Sequence, residues 1–416
     1  MALDIGGGSM GIRLTPFGSR SYHVAGGPVS RTYHFVAGEW TEVTNPSDLA
    51  YLLSNENCIL QEEKPLGNKA IICRCDGDKT RARFDDAAAG VEYYREYEAG
   101  RIYSVPLHEY KVLNKRQDFQ EVDLVTALSD RPRMRVLIVR PRGLGDLLLS
   151  LPAVAAIHKR FPNASIVYSC DAHYRVLFFD NPAVTRAVEH FEAYDYAPYD
   201  YIADWTYGVE NHPRQASEAR PDLFAEMAGI TNLTDYSMLL KPMPSHVERV
   251  AGLLPDSHPL VAVHVRGANF RRVPSQEKLV GIVRKMVLAG MTPVCLHHVR
   301  ETIWDIDGVV NLTGRTDVGD LVAVVDACDA ALVGDSGVTH VANALSKPTL
   351  ALYGHVDYKL RIKGQPNCTV IQGNSYVGCP PCNDHQTHRC DPPPRCLDMI
   401  PDEVIIERLK EVVKCR

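Results

Sequence analysis

Two kinds of apolar patterning divide the chain. Beyond residue 131, short continuous apolar runs alternate with stretches whose apolar residues recur every three or four positions. Arg135-Val-Leu-Ile-Val-Arg140 is almost wholly apolar, as a buried parallel strand must be. After the loop Pro141-Arg142-Gly143-Leu144-Gly145-Asp146, residues Leu147, Leu151, Val154, Ile157 and Phe161 share one helical face, with Pro152 expected to kink the helix. Ser165-Ile-Val-Tyr-Ser completes a βαβ unit. A second block predicts strands at Leu260–Val265, Pro293–Leu296, Ala330–Val333 and Thr349–Tyr353, with helices near 275–289, 317–328 and 337–346. The proline-rich stretch at 241–258, with Pro242, Pro244 and Pro255, reads as a hinge. A last helix over 401–414 opens on Pro401-Asp402-Glu403, a favourable start, and could pack on either block. Residues 131–245 and 246–416 therefore read as two doubly wound Rossmann-like α/β lobes.

Upstream the pattern is weaker. Residues 1–30 are rich in Gly, Ser and polar side chains and read as a flexible N-terminus. Residues 31–130 read as a small α+β accessory module. Its expected strands are Thr32–Ala37, Trp40–Val43 and Ala70–Cys73, with a helix start at Asn45 and a Tyr- and Glu-rich helix near 85–100. No chemistry is evident in this third of the chain.

Composition narrows the function classes. The 416 residues are 45% hydrophobic and carry a net charge of −6, which disfavours broad nucleic-acid or membrane-surface binding. No apolar run approaches a bilayer span and the first ten residues lack the apolar core of a secretory signal, so a cytoplasmic protein is expected. Four of twelve cysteines, Cys379, Cys382, Cys390 and Cys396, crowd one Pro-rich stretch over 379–396. Their C-x2-C-x7-C-x5-C spacing can supply a tetrahedral set of thiolates for a structural zinc or iron ion, with His385 and His388 as substitutes. Four reduced thiols in a loose loop are the alternative. The strongest candidate for chemistry is Gly334-Asp335-Ser336-Gly337, where a strand hands over at once to a helix. Backbone N–H groups there can bind an anion such as a diphosphate, with Ser336 and His340 as further donors. An ordinary capped βα turn would look the same. Val338, Val341, Ala342 and Leu345 form the buried helical face, leaving Thr339, His340 and Asn343 to point elsewhere.

The run Asp335-Ser-Gly337…His340…Ala342-Asn-Ala-Leu345…Lys347-Pro-Thr…Tyr353-Gly354 resembles the C-terminal signature of the ADP-heptose:lipopolysaccharide heptosyltransferase family. Arg140-Pro-Arg-Gly143-Leu-Gly145-Asp146…Leu151-Pro152-Ala153 is similar to that family's first loop. Asn311-Leu-Thr-Gly314-Arg-Thr316…Leu321 and the Cys-rich tail ahead of Ile400-Pro-Asp-Glu403-Val404 also match, in family order, across 134–416.

The resemblance implies a GT-B fold and inverting transfer of a sugar, a heptose or another hexose-type unit, from a nucleotide-sugar, favouring an ADP-sugar, to a glycan or protein acceptor. No catalytic metal is implied, and Asp76-Gly-Asp78 lies outside the matching region. The cysteine finger is similar to that of protein-heptosylating members, which points to iron beside zinc. By the same resemblance Asp146 is the general base. A helix N-cap is the competing role for it. Donor binding then falls to Arg271, Gly314, Thr316, Asp335, Ser336, Gly337 and His340, and the acceptor side to Arg142 and Gly145. The family's Lys before Trp-Pro is missing; Arg271 stands at that position, and the sugar stays open. His297-His298 could flank a nucleotide base or merely end a strand. Asp204, Trp205, His212, Arg214 and the tyrosines Tyr194, Tyr196, Tyr199 and Tyr201 are acceptor-side candidates or plain packing. A homo-oligomer is left open. So are two other classes: a nucleotide-sugar epimerase of the same fold, and a non-catalytic assembly protein.

Overall fold

The computed structural model describes residues 134–190, 199–230 (without 207, 211 and 213), 232–266, 272–379, 381 and 396–414. Upstream it describes 10–14, 20–24, 31–35, 40–43, 58–60, 69–74, 79–86, 91–105, 110 and 112–122. The upstream strands are β1 (Met10–Leu14), β2 (Arg20–Val24), β3 (Arg31–Phe35), β4 (Trp40–Val43), β5 (Cys58–Leu60), β6 (Lys69–Cys73), β7 (Lys79–Asp86), β8 (Val91–Glu98), β9 (Ile102–Val105) and β10 (Phe119–Glu121). The first lobe continues with β11 (Arg135–Val139), α1 (Leu144–Arg160), β12 (Ser165–Cys170), β13 (Arg186–Glu189), β14 (Tyr201–Asp204) and α2 (Arg220–Met227). Helix α3 (Pro244–Ala251) lies between the lobes in sequence. The second lobe holds β15 (Leu260–His264), α4 (Gln276–Leu288), β16 (Thr292–Cys295), β17 (Val310–Asn311), α5 (Val318–Ala327), β18 (Ala330–Gly334), α6 (Gly337–Ala344), β19 (Thr349–Tyr353), β20 (Cys368–Gln372) and α7 (Asp402–Lys414).

Each lobe is built on one sheet. The second is parallel throughout, in the order β17-β16-β15-β18-β19-β20. The first runs β10-β6-β9-β14-β11-β12-β13, parallel from β9 onward. The chain leaves β11 for β12 on one side and later returns to β14 on the other. It likewise leaves β15 for β16 and returns to β18. Such reversals open crevices at the carboxyl ends of the strands.

Packing explains the layers. Leu147, Leu151, Val154 and Ile157 of α1 bury against Val136, Ile138 and Ile166, and the same cluster continues into Val338, Val341 and Ala342 of α6. One apolar core thus crosses from lobe to lobe. Helix α1 runs through Pro152 without interruption. On the far face of the second sheet, Ile405, Ile406, Leu409 and Val412 of α7 pack with Leu279, Ile282, Val283 and Met286 of α4. Lys285 Nζ sits 2.9 Å from Asp402 Oδ2, which settles the last helix on the second lobe.

The upstream third differs from its sequence reading. Strands β6, β9 and β10 extend the first lobe's sheet, so that lobe does not begin at 131. Cys73, Tyr97, Tyr103, Val105, Leu113 and Phe119 cover the face of Leu137, Val139, Val167, Val188 and Ile202. The ring of Tyr97 meets Tyr103 and Phe119 edge-on at 4.9 and 5.0 Å. The helix expected near 85–100 is instead the hairpin β7-β8, with Phe84 opposite Tyr93. β-Branched and aromatic residues at alternating positions outweigh the Glu content there. Within residues 1–30, expected to be flexible, lie β1, paired with β4 and β5, and β2, paired with β3. The helix start at Asn45 falls outside the described residues. The proline stretch 241–258 holds α3, with Pro244 at its first turn, where a missing N–H is harmless. No helix among the described residues is long and apolar enough to cross a membrane.

Candidate functional site

Helices α1 and α6 meet N-terminus to N-terminus across the cleft, and two glycines allow it. A Cβ on Gly145 would lie 2.9 Å from His340 Cδ2, and one on Gly337 would lie 2.8 Å from Leu144 Cβ. Two positive helix ends therefore converge on one point. A carboxylate accompanies each: Asp146 in the first turn of α1, and Asp335 just ahead of α6. Both are buried. A cavity of about 680 Å3 opens at this junction. Its first-lobe wall is Gly143 to Asp146, His173, Tyr174 and Arg220. Its second-lobe wall includes His264, Arg272, His297, Thr316, Asp335 to Val338, His340 and Arg361.

Asp146 is no helix cap. The residue before α1 is Gly143, at φ +96°, and no side chain caps that end. The carboxylate instead accepts from Arg140 Nη2 at 2.8 Å and from Arg220 Nη1. Arg140 is itself fixed by Glu210 at 2.6 and 2.9 Å and by the Trp205 carbonyl at 3.1 Å. Burial pushes the Asp146 carboxyl up, but Arg220, Arg140 and Arg361 outweigh it and hold the group below the usual carboxylate range. Across from it, Arg272 Nε stands 3.3 Å from Asp335 Oδ2. Burial pushes the His340 and His264 imidazoles down to about 4, so both are neutral at neutral pH. The positive charge of the cavity then comes from Arg220, Arg272 and Arg361 and from the helix ends. Ser336 Oγ is engaged by His264 Nδ1 at 3.2 Å.

Of the sequence candidates, Asp146, Gly145, Thr316, Asp335, Ser336, Gly337 and His340 come together on this cavity, as do His297 and His298. Thr339 and His340, expected to point away from the core, are buried because α6 packs against α1 as well as against its own sheet. Gly314 does not line the cavity. It turns the chain at φ +68° ahead of Thr316, where a Cβ would strike the Arg300 backbone at 2.6 Å. Arg142 points outward and pairs with Asp171 at 2.8 Å. Trp205 is fully buried, and Tyr199 and Tyr201 belong to the core. His212 and Arg214 sit beside Glu226, away from the cavity lining. Arg271, Tyr194, Tyr196, Cys382, Cys390, His385 and His388 lie outside the described residues. Arg220, Arg272, Arg361 and His264 escaped the sequence reading. His264 ends a strand and Arg220 starts a helix, but Arg272 and Arg361 lie in connections, eight residues beyond β15 and β19, with no local signal.

Cys379 and Cys396 lie against two adjacent residues at one end of the second lobe. The Cys379 N–H donates to the Asn374 carbonyl at 3.1 Å, while a Cβ on Gly373 would lie 2.9 Å from the Cys396 carbonyl oxygen. In a separate group, His246, Asp317 and Asp320, both carboxylates already bind the Arg249 guanidinium, at 2.6 and 2.7 Å.

Two parallel-sheet lobes facing across an arginine-lined crevice define a GT-B type of fold. Residues 294–388, which carry α6 and the glycine turn ahead of it, match glycosyltransferase family 9 (heptosyltransferase). Lipopolysaccharide heptosyltransferase 2 of Escherichia coli K12 is 48% identical over 44 residues, 11% of this chain. The Haemophilus influenzae lipooligosaccharide heptosyltransferase 2 is 42% identical over 45. The chain spans only 13% of the length of either relative. Solved structures share the fold more widely. E. coli ADP-heptose lps heptosyltransferase II aligns with TM-score 0.56 at 16% identity, over 68% of this chain and 99% of that one. The iron-containing dodecameric glycosyltransferase TibC from enterotoxigenic E. coli aligns with TM-score 0.53 at 12% identity, over 87% of this chain and 94% of that one. The wider share exceeds what residues 134–416 can supply, so the likeness extends into the upstream strands.

Proposed function

We propose that the chain is an inverting glycosyltransferase that moves a sugar from a nucleoside diphosphate donor to an acceptor hydroxyl in the inter-lobe cavity. The observation that carries this reading is the junction itself: two abutting helix N-termini, one buried carboxylate from each lobe, and three arginines on one cavity. The donor diphosphate lies at the α6 end, where the backbone N–H groups, Arg272 and Arg361 offset its charge. The acceptor enters beside α1 and gives its hydroxyl proton to Asp146. Its oxygen bonds to the anomeric carbon as the bond to the diphosphate breaks, and the electron pair leaves with the diphosphate. No metal takes part in this step. The names of the fold relatives, an ADP-heptose lps heptosyltransferase and a TibC complex with ADP-D-beta-D-heptose, favour an ADP-sugar. The test is release of nucleoside diphosphate from a nucleotide-sugar. Release with a lipopolysaccharide-core glycan or a protein hydroxyl acceptor, and none without it, is the expected result. Donor conversion without an acceptor would instead fit an epimerase.

The cysteine finger is read as a closed structural site in which Cys379, Cys382, Cys390 and Cys396 would hold zinc or iron. Its support is the S4 donor set and the placement of Cys379 and Cys396 against the adjacent residues Asn374 and Gly373. When bound, the metal would fold the loop and leave the transfer chemistry untouched. Purified protein should contain about one metal ion per chain, and a Cys379→Ser, Cys396→Ser double variant should lose it. Metal-free wild type that keeps its full thermal stability would refute the site.

A further inference from the structure

The two arginines on Asp146 are not equivalent. Arg140 donates to Asp146 Oδ2, to both oxygens of Glu210, and to the carbonyls of Trp205 and Arg142. It is buried and absent from the cavity wall. Arg220 lines the cavity, and Asp146 Oδ1 is its one hydrogen-bond partner among the described residues. Its Nε is buried with no hydrogen-bond partner. Arg220 is also the first residue of α2, where the helix dipole repels a cation. Asp146 and, beyond hydrogen-bond reach, Glu210 offset that position, so a second anion in the cavity can compete for this singly bonded guanidinium and cannot easily compete for Arg140.

We propose that Arg220 exchanges partners during the reaction, leaving Asp146 Oδ1 for the diphosphate of the bound donor and so uncovering the base only when donor is present. This rests on the transferase reading above. The exchange links two needs of the reaction. A carboxylate held through both oxygens by guanidinium groups is a weak proton acceptor, and a departing diphosphate needs added positive charge. Arg220 satisfies both by moving from one to the other, while Arg140 keeps the carboxylate aimed. Before donor binds, the two guanidinium groups outweigh burial and keep the carboxyl below its usual range. Losing Arg220 removes the stronger of them. The charged and titratable groups facing Asp146 are Arg140, Arg220, Tyr168 and, across the cleft, Arg361 and His340. His340 is neutral near pH 7, and the other arginines stay in place through the exchange.

The test is ADP affinity, measured by calorimetry on the full chain, for wild type, Asp146→Asn, Arg220→Met and the double variant. If Arg220 must be taken from Asp146, removing the carboxylate charge tightens ADP binding about tenfold or more. Arg220→Met weakens it by a similar factor, and Asp146→Asn then changes nothing in the Arg220→Met background. A gain that persists without Arg220 is plain repulsion between Asp146 and the phosphates and overturns the exchange. Unchanged or weaker binding by Asp146→Asn also overturns it. Wild type that binds neither ADP nor inorganic diphosphate defeats the transferase reading and this inference together, whereas binding without coupling defeats the inference alone. A structure of wild type with ADP decides the matter even if a variant misfolds. Arg220 should lie within about 3.2 Å of a phosphate oxygen and off Asp146, with Arg140 still in place. Arg220 remaining on Asp146 contradicts the exchange.

Discussion

Replacing Asp146 by Asn should lower acceptor-dependent turnover by about 10²–10⁴-fold, the range for losing a general base, while nucleotide binding is not lost but tightens. The change keeps the side chain's size at a buried site where α1 meets α6. It removes one negative charge, but Arg140 retains both oxygens of Glu210, and Arg220, which loses its carboxylate partner, lines the open cavity where water can reach it. The fold should therefore survive, as a thermal melt can verify. The loss should appear in kcat and not as a raised KM, because Asp146 acts on a proton that moves only as the new bond forms. The pH profile sharpens this. Arg220 and Arg140 hold the free-state carboxyl below the usual range against the opposing effect of burial. Asp146 is thus ionised throughout the neutral region, and in free protein its protonation should limit activity only below the usual carboxylate range. Turnover of Asp146→Asn within a few-fold of wild type would remove Asp146 from the chemistry.

Deleting residues 1–130 should abolish folding of the remainder. The sequence alone draws a boundary near 131, and a transferase core trimmed there would look complete. In the structure that cut strips the cover from Leu137, Val139, Val167, Val188 and Ile202. Five such side chains at about 1.5–3 kcal/mol each amount to roughly 10 kcal/mol, comparable with the whole stability of an ordinary domain. The cut also frees the edge of β14 that β9 now pairs, an invitation to aggregation. The 131–416 fragment should be insoluble on expression, or lack a cooperative melt if refolded. A soluble fragment that melts cooperatively would show that the upstream strands merely decorate the lobe.

These two cases mark what the sequence discloses. From β11 onward, the central strands such as Arg135–Val139, Leu260–His264 and Ala330–Gly334 are mostly Val, Leu, Ile and Ala, and helices carry one apolar face, so the alternation is local and readable. Helices expected at 275–289, 317–328 and 401–414 appear at Gln276–Leu288, Val318–Ala327 and Asp402–Lys414. Upstream, structure depends on pairing between distant segments. Nothing near Lys69–Cys73 says that its partner is Ile102–Val105, or that Ile102–Val105 lies beside Tyr201–Asp204. The Tyr- and Glu-rich segment 91–98 has the composition of a helix surface but becomes a strand because Ala82 and Tyr97 are buried in the hairpin. The site divides in the same way. Its glycine-rich turns are continuous in sequence and legible. The arginines that charge it come from α2, from the residue ahead of Val273-Pro274, and from the turn after β19. Only the fold brings them together.

The central claim, that the cavity between α1 and α6 receives a nucleotide-sugar, can be tested without knowing the acceptor. Thermal denaturation of the full chain would be followed with ADP-, GDP-, UDP- and dTDP-sugars in turn. A clear upward shift with one nucleotide class, ADP-sugars first, is expected, and it should shrink when Gly337 is replaced by Val to fill the junction. No shift with any of the four, at concentrations well above a millimolar, would contradict the account.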